Sequence, residues 1–135
     1  MNQTLTSDTT TKTTKPLDLA RYASALVGAV VLNLIALRVG DAAGATLEIN
    51  APEAINAPTV AAFTAGIMLV AGTGYWFLAR RWTSIQRWAP WAGLGFATAT
   101  AVMPFAASPD TKTGATLASM HLVTGIAWLA GTVRR

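Results

Sequence analysis

The sequence predicts an all-α, polytopic membrane protein: an up-down bundle of four transmembrane helices with both the N- and C-termini in the cytoplasm. Three observations carry that expectation. Apolar runs recur at Tyr22–Leu37, Val60–Ala79, Ala89–Ala107 and Leu117–Val133, and none contains Asp, Glu, Lys or Arg. Only 12% of the residues are charged, against about a quarter in ordinary soluble domains. The runs are also apolar all the way round, whereas a soluble bundle keeps a polar face on each helix. Finally, the basic residues fall in alternate connectors. The tail (Lys12, Lys15, Arg21), the second loop (Arg80, Arg81, Arg87) and the C-terminus (Arg134, Arg135) hold eight of the ten, and the positive-inside rule assigns such segments to the cytoplasm.

Residues 1–16 are nearly all Thr, Ser, Asn, Gln, Asp and Lys, closed by Pro16. They offer little to bury and are expected to form a disordered cytoplasmic tail, leaving 17–135 as the transmembrane domain. The first span is placed at about 19–39. Its apolar core is short, and it draws on Leu17–Arg21 or Arg38–Gly40 to reach the roughly 20 residues that cross a bilayer core, with arginines snorkelling at its ends. Together with Ala43–Gly44–Ala45 this run loosely imitates a cleavable secretory signal. Arg38 and Asp41 stand between run and triplet, however, so the helix is read as retained.

The loop at about 40–58 is read as extracytoplasmic. It holds a short repeat, Ile49-Asn50-Ala51-Pro52 and Ile55-Asn56-Ala57-Pro58, read as an acidic surface loop, with a lid over the outer mouth of the bundle as the alternative. Pro58 suits the first turn of the second span, at about 59–79, and Pro90 that of the third, at about 88–107. Pro104 is expected to bend the outer end of the third span. The fourth is placed at about 115–133, after a connector carrying Asp110 and Lys112. Tyr22, Tyr75, Trp76, Trp82, Trp88, Trp91 and Trp128 all fall near the cytoplasmic ends, where amphipathic rings favour the headgroup layer.

Hydrocarbon gives helices no hydrophobic drive toward one another, so small residues that let backbones approach mark the packing faces. These are Ala89, Gly93, Ala97 and Ala101 in the third span, Ala25 and Ala29 in the first, and Ala118 and Gly125 in the fourth. Asn33 continues the Ala25–Ala29 line, and His121 lies between Ala118 and Gly125, so both are expected to point into the bundle. Adjacent first and fourth helices would bring Asn33 and His121 together in the outer leaflet, below Arg38, Asp41 and Asp110. These residues form a candidate ligand or pH-sensing site, because a polar group at membrane depth is costly and histidine changes charge near neutrality. The structural alternative is a pair that only sets helix register.

Cysteine is absent, which removes disulfides and thiolate metal sites. A lone histidine without a buried acid builds neither a metal site nor a catalytic pair. No cofactor and no catalytic residue is expected, and the protein is read as a non-enzyme. Thr98, Thr100 and Thr124 are read as hydroxyls bonded to their own helix backbones. The net charge of +4 is assigned to orientation and anionic lipid, with no nucleic-acid partner.

The basic tail, Asn33 in the first span, the Trp76–Arg81 exit of the second and Met120-His121-Leu122-Val123 in the fourth resemble an uncharacterised family of small four-span membrane proteins of actinobacteria. The resemblance covers roughly 17–133 and implies this fold and attention to His121, with no activity attached. The expected role is an accessory or scaffolding component of the inner (plasma) membrane, packing with itself or with other membrane proteins. The alternatives are a small oligomeric transporter or channel with a polar outer vestibule around Asn33 and His121, and a membrane enzyme acting on lipid or quinone.

Overall fold

The computed structural model describes residues 17–49 and 54–133. The expected tail at 1–16 and the Asn50-Ala51-Pro52 part of the repeat lie outside the described residues. Five helices follow in order: α1 Leu19–Ala42, α2 Ala57–Arg81, α3 Ile85–Thr100, α4 Met103–Ala107 and α5 Thr111–Thr132. There is no strand among the described residues.

Local chemistry sets most of the boundaries. The Asp18 carboxylate caps α1, accepting from the Ala20 and Arg21 amides at 3.1 and 3.2 Å. Asn56 caps α2 by accepting from Thr59 N at 3.0 Å, and Pro58 sits in the first turn, where its missing N–H costs nothing. The second Ile-Asn-Ala-Pro is therefore a helix start. α1 ends in a Schellman motif: Gly44 N donates to Asp41 O and Ala45 N to Gly40 O, both at 2.9 Å. Gly44 supplies the required left-handed backbone with φ of 81°, which a glycine adopts without a Cβ clash.

The third apolar run departs from expectation at both ends. Its helix begins at Ile85, so Pro90 lies inside it rather than in its first turn; the turn at Thr83–Ser84 already closes backbone bonds from Ile85 N to Trp82 O and Arg87 N to Ser84 O. Pro104 does more than bend the outer end. α3 stops at Thr100, and a separate short α4 restarts at Met103 with Pro104 in its first turn, since proline can neither donate to the fourth carbonyl back nor avoid clashing with it. Three helices, α1, α2 and α5, are long and apolar enough to cross a membrane. α3, with 16 residues, is not long enough alone.

α1 packs most extensively on α5, α5 on α3 and α4, and α1 on α2, whereas α2 and α3 meet only loosely. The apolar residues mostly face outward: in the most hydrophobic windows of α1, α2 and α5 only 22%, 28% and 33% of residues are buried. Such an exterior fits lipid as its solvent. Two apolar clusters lie inside, one around Tyr22, Met68, Tyr75 and Trp128, the other around Leu37, Val60 and Met120.

Tyr22, Tyr75 and Trp128 are thus core residues, although their sequence positions suggested an interfacial belt. Trp128 is met edge-on by both tyrosines, with ring centroids 6.1 and 5.8 Å away. Its Nε1–H donates to Ala89 O at 3.1 Å, and the Tyr22 hydroxyl donates to Met68 O at 2.5 Å. Trp82, Trp88 and Trp91 remain exposed, as belt residues are.

Candidate functional site

Because α2 and α3 diverge, an apolar cleft of about 630 Å³ lies between them, backed by α1 and α5. Phe63 and Ile67 on α2 and Phe96 on α3 form its rims and are 63%, 59% and 68% exposed. The cleft therefore opens sideways, onto the same apolar exterior. Ile49, Ala54 and Ile55 line it toward the α1–α2 loop, and Met68 and Trp128 toward the other end. One isoleucine from each repeat copy, Ile49 and Ile55, is thus part of the cleft wall.

The back wall carries the polar atoms. Asn33 is 2% exposed. Its Nδ2 donates to Thr64 Oγ1 on α2 at 2.9 Å and to Thr124 Oγ1 on α5 at 3.0 Å, so one side chain ties three helices. Thr124 spends its own hydroxyl proton on Met120 O at 2.8 Å, leaving its oxygen free to accept. That commitment fixes the amide orientation, and Asn33 Oδ1 is left buried without a hydrogen-bond partner among the described residues. Orphaned buried acceptors are rare and call for an explanation.

His121 lies one turn from Thr124 on the same helix and also lines the cleft. Its Nδ1 is 2.9 Å from Leu117 O. A carbonyl only accepts, so Nδ1 carries a proton, and the neutral tautomer that makes this bond has its lone pair on Nε2. No hydrogen bond joins Asn33 to His121, the two residues expected to approach each other. Both residues share the cleft wall, but Asn33 bonds Thr64 and Thr124, while the histidine proton is already taken by its own helix. Thr98 and Thr100 likewise donate to Leu94 O and Phe96 O, each at 2.9 Å.

Arg38 and Asp41 are exposed at the end of α1, and neither they nor Asp110 line the cleft. Asp110 belongs to a separate clasp joining the α1–α2 loop to α5. It caps α5 through Thr113 N at 2.8 Å and accepts from the Thr46 hydroxyl at 2.6 Å. Leu47 N donates to Thr113 Oγ1 at 2.9 Å, and Lys112 Nζ reaches Ala43 O at 2.8 Å. Hydrogen bonds from Thr113 and then Thr46 hold the Asp110 carboxyl well below the usual carboxylate range.

The small residues are placed as follows. Ala29 is fully buried. A Cβ on Gly131 would lie 3.2 Å from the Ala25 methyl, and one on Gly125 would lie 2.6 Å from that of Ala97. One on Gly93 would overlap the Trp128 indole. Ala89 accepts from that indole, Ala101 is buried and Ala118 half-buried. Sequence reasoning missed Thr64 as a partner. The signal was there: an isolated hydroxyl early in α2, opposite Asn33 of α1.

Among the described residues no group of three His, Cys, Asp or Glu side chains could hold a metal ion. With the geometry in place, comparison with known proteins gives one match. Residues 13–135 match the model of a family of unknown function, DUF6069, and the chain belongs to that family. No curated protein and no solved structure matches it.

Proposed function

We propose that this member of a family without assigned function is a four-span protein of the inner (plasma) membrane with both termini cytoplasmic. In this reading α3 and α4 together make the third crossing. It works as a non-enzymatic accessory component, taking an apolar guest from the plane of the bilayer into the α2–α3 cleft. The single observation that carries the reading is the open seam: three sides of the helix array are closed, and the fourth exposes an apolar hollow to the surface that lipid would cover. Its volume lies within the roughly 300–1,000 Å³ typical of small-molecule sites. Among the described residues the polar wall supplies neither a nucleophile hydrogen-bonded to a base nor a carboxylate, which favours binding over catalysis.

Two measurements test this. Reporter fusions after Lys15, Glu48, Arg87 and Asp110 should read in, out, in, out, and any other order removes the four-span topology. A nitroxide attached through Ala71→Cys, in a chain with no native cysteine, should collide with oxygen rather than with a water-soluble nickel chelate. The reverse would make the cleft a wet vestibule and favour a transporter.

A further inference from the structure

Four properties of the cleft define what fits it. Among the described residues no charged side chain lines it, so an ionised phosphate, carboxylate or ammonium head would find no counter-charge there. Its walls are mostly apolar and open sideways, which suits a hydrocarbon chain. Asn33 of α1 lines its back wall and keeps Oδ1 buried and unpaired among the described residues, and His121 of α5 lines the same cleft with Nε2 bonded to nothing among them while Nδ1 is held by Leu117 O. Both are acceptors, and both call for a donor. Size separates a small guest from a partner helix. A helix 10–12 Å across fills roughly 400–600 Å³ per turn, so about 630 Å³ holds little more than one turn.

Resting on the binding role proposed above, we infer that the cleft holds a single-chain amphiphile whose polar end is a hydroxyl: an alcohol, phenol or hydroquinone. The hydroxyl donates to Asn33 Oδ1, with His121 Nε2 as the second acceptor, and the chain leaves between Phe63 on α2 and Phe96 on α3. This assigns the orphaned oxygen a partner and explains why a polar wall sits behind an apolar mouth. Asn33 then has two tasks, gathering α1, α2 and α5 through its amine and reading the guest through its carbonyl.

The test uses the full chain in phosphatidylcholine nanodiscs, photolabelled with a diazirine-bearing hexadecanol or with its methyl ether at equal mole fraction. The alcohol should label cleft residues of α2 and α3 about fivefold more than the ether, the worth of one net hydrogen bond. Asn33→Leu should bring the two probes to equality. His121→Phe, at a half-buried position that tolerates change better, should shrink the preference and decides the matter if Asn33→Leu fails to fold. Ala71→Phe closes the mouth without touching the polar wall and should abolish labelling by both. Equal labelling of the unaltered protein by alcohol and ether overturns the inference, since water then meets Asn33 Oδ1, yet leaves the cleft as an apolar guest site. Absence of cleft labelling by either probe, or labelling indifferent to Ala71→Phe, overturns both.

Discussion

Along the α1–α5 seam, glycines let two helices touch: a Cβ on Gly40 would overlap Thr116, and one on Gly131 would lie 2.9 Å from the Tyr22 ring. α2 and α3 carry glycines too, but spend them elsewhere. Gly72 of α2 receives the Tyr22 ring of α1, and Gly93 of α3 receives Trp128 of α5. Their other glycines, Gly66, Gly74 and Gly95, have nothing within 4 Å of where a Cβ would stand. The seam between α2 and α3 stays open because each helix aims its close-packing residues at a third partner. In a chain with an apolar surface all round, the direction of the glycines decides which seams close.

That contrast can be broken most forcefully by filling a closed seam. Gly125→Leu would press on Ala97 and Leu94 and should destabilise by about 1–3 kcal/mol, the usual cost of overpacking. Gly66→Leu, in open space, should stay within about 0.5 kcal/mol. Reversible unfolding in mixed micelles reads both, and equal losses would show that the glycines do not set the seams. A smaller effect sharpens the role of Asn33. A double-mutant cycle between Asn33→Ala and Thr124→Val should give a coupling of about 0.6 kcal/mol, the average for hydrogen bonds between membrane helices, whereas Asn33→Ala with His121→Ala should give none. A coupling only in the second cycle would restore the pair expected from sequence.

The smallest effect concerns the clasp that finishes the closed seam. The Asp110 carboxyl is held below its free pKa of about 3.9, so its contribution is complete above that value and lost as pH falls below it. Protection of the Thr46 and Leu47 amides from hydrogen exchange, corrected for intrinsic rates, should hold above about pH 4 and drop progressively as pH falls below it. Asp110→Asn keeps a capping side chain and should flatten that dependence; an unchanged drop would place the titration elsewhere.

Hydropathy made the long helices legible and the small-residue line gave the inward aim of Asn33, while the adjacency of α1 and α5 came from the usual arrangement of up-down bundles. They did not give rotational phase. A helix apolar on every side carries no preferred face in its hydrophobicity, so Tyr22, Tyr75 and Trp128 read as belt residues when they are core. The partner of Asn33 was hidden for a related reason. Asn33 and His121 stand out by polarity, but their hydrogen bonds were settled by weaker groups, the Thr64 and Thr124 hydroxyls and the Leu117 carbonyl. The break at Ala101–Val102 follows from Pro104 once helix geometry is applied, although the hydropathy of the third run shows no interruption.

The shortness of α3 reaches beyond the protein. In the four-span arrangement, its 16 residues make a rod of about 24 Å, against hydrocarbon roughly 30 Å thick. The rest of that crossing falls to α4, beyond the break at 101–102, so this span is jointed where α1, α2 and α5 run unbroken. Mismatch with the bilayer costs fractions of a kcal/mol per ångström. A jointed span takes up a few ångströms of it by changing the angle between its two pieces, whereas a continuous helix has to tilt as a rod.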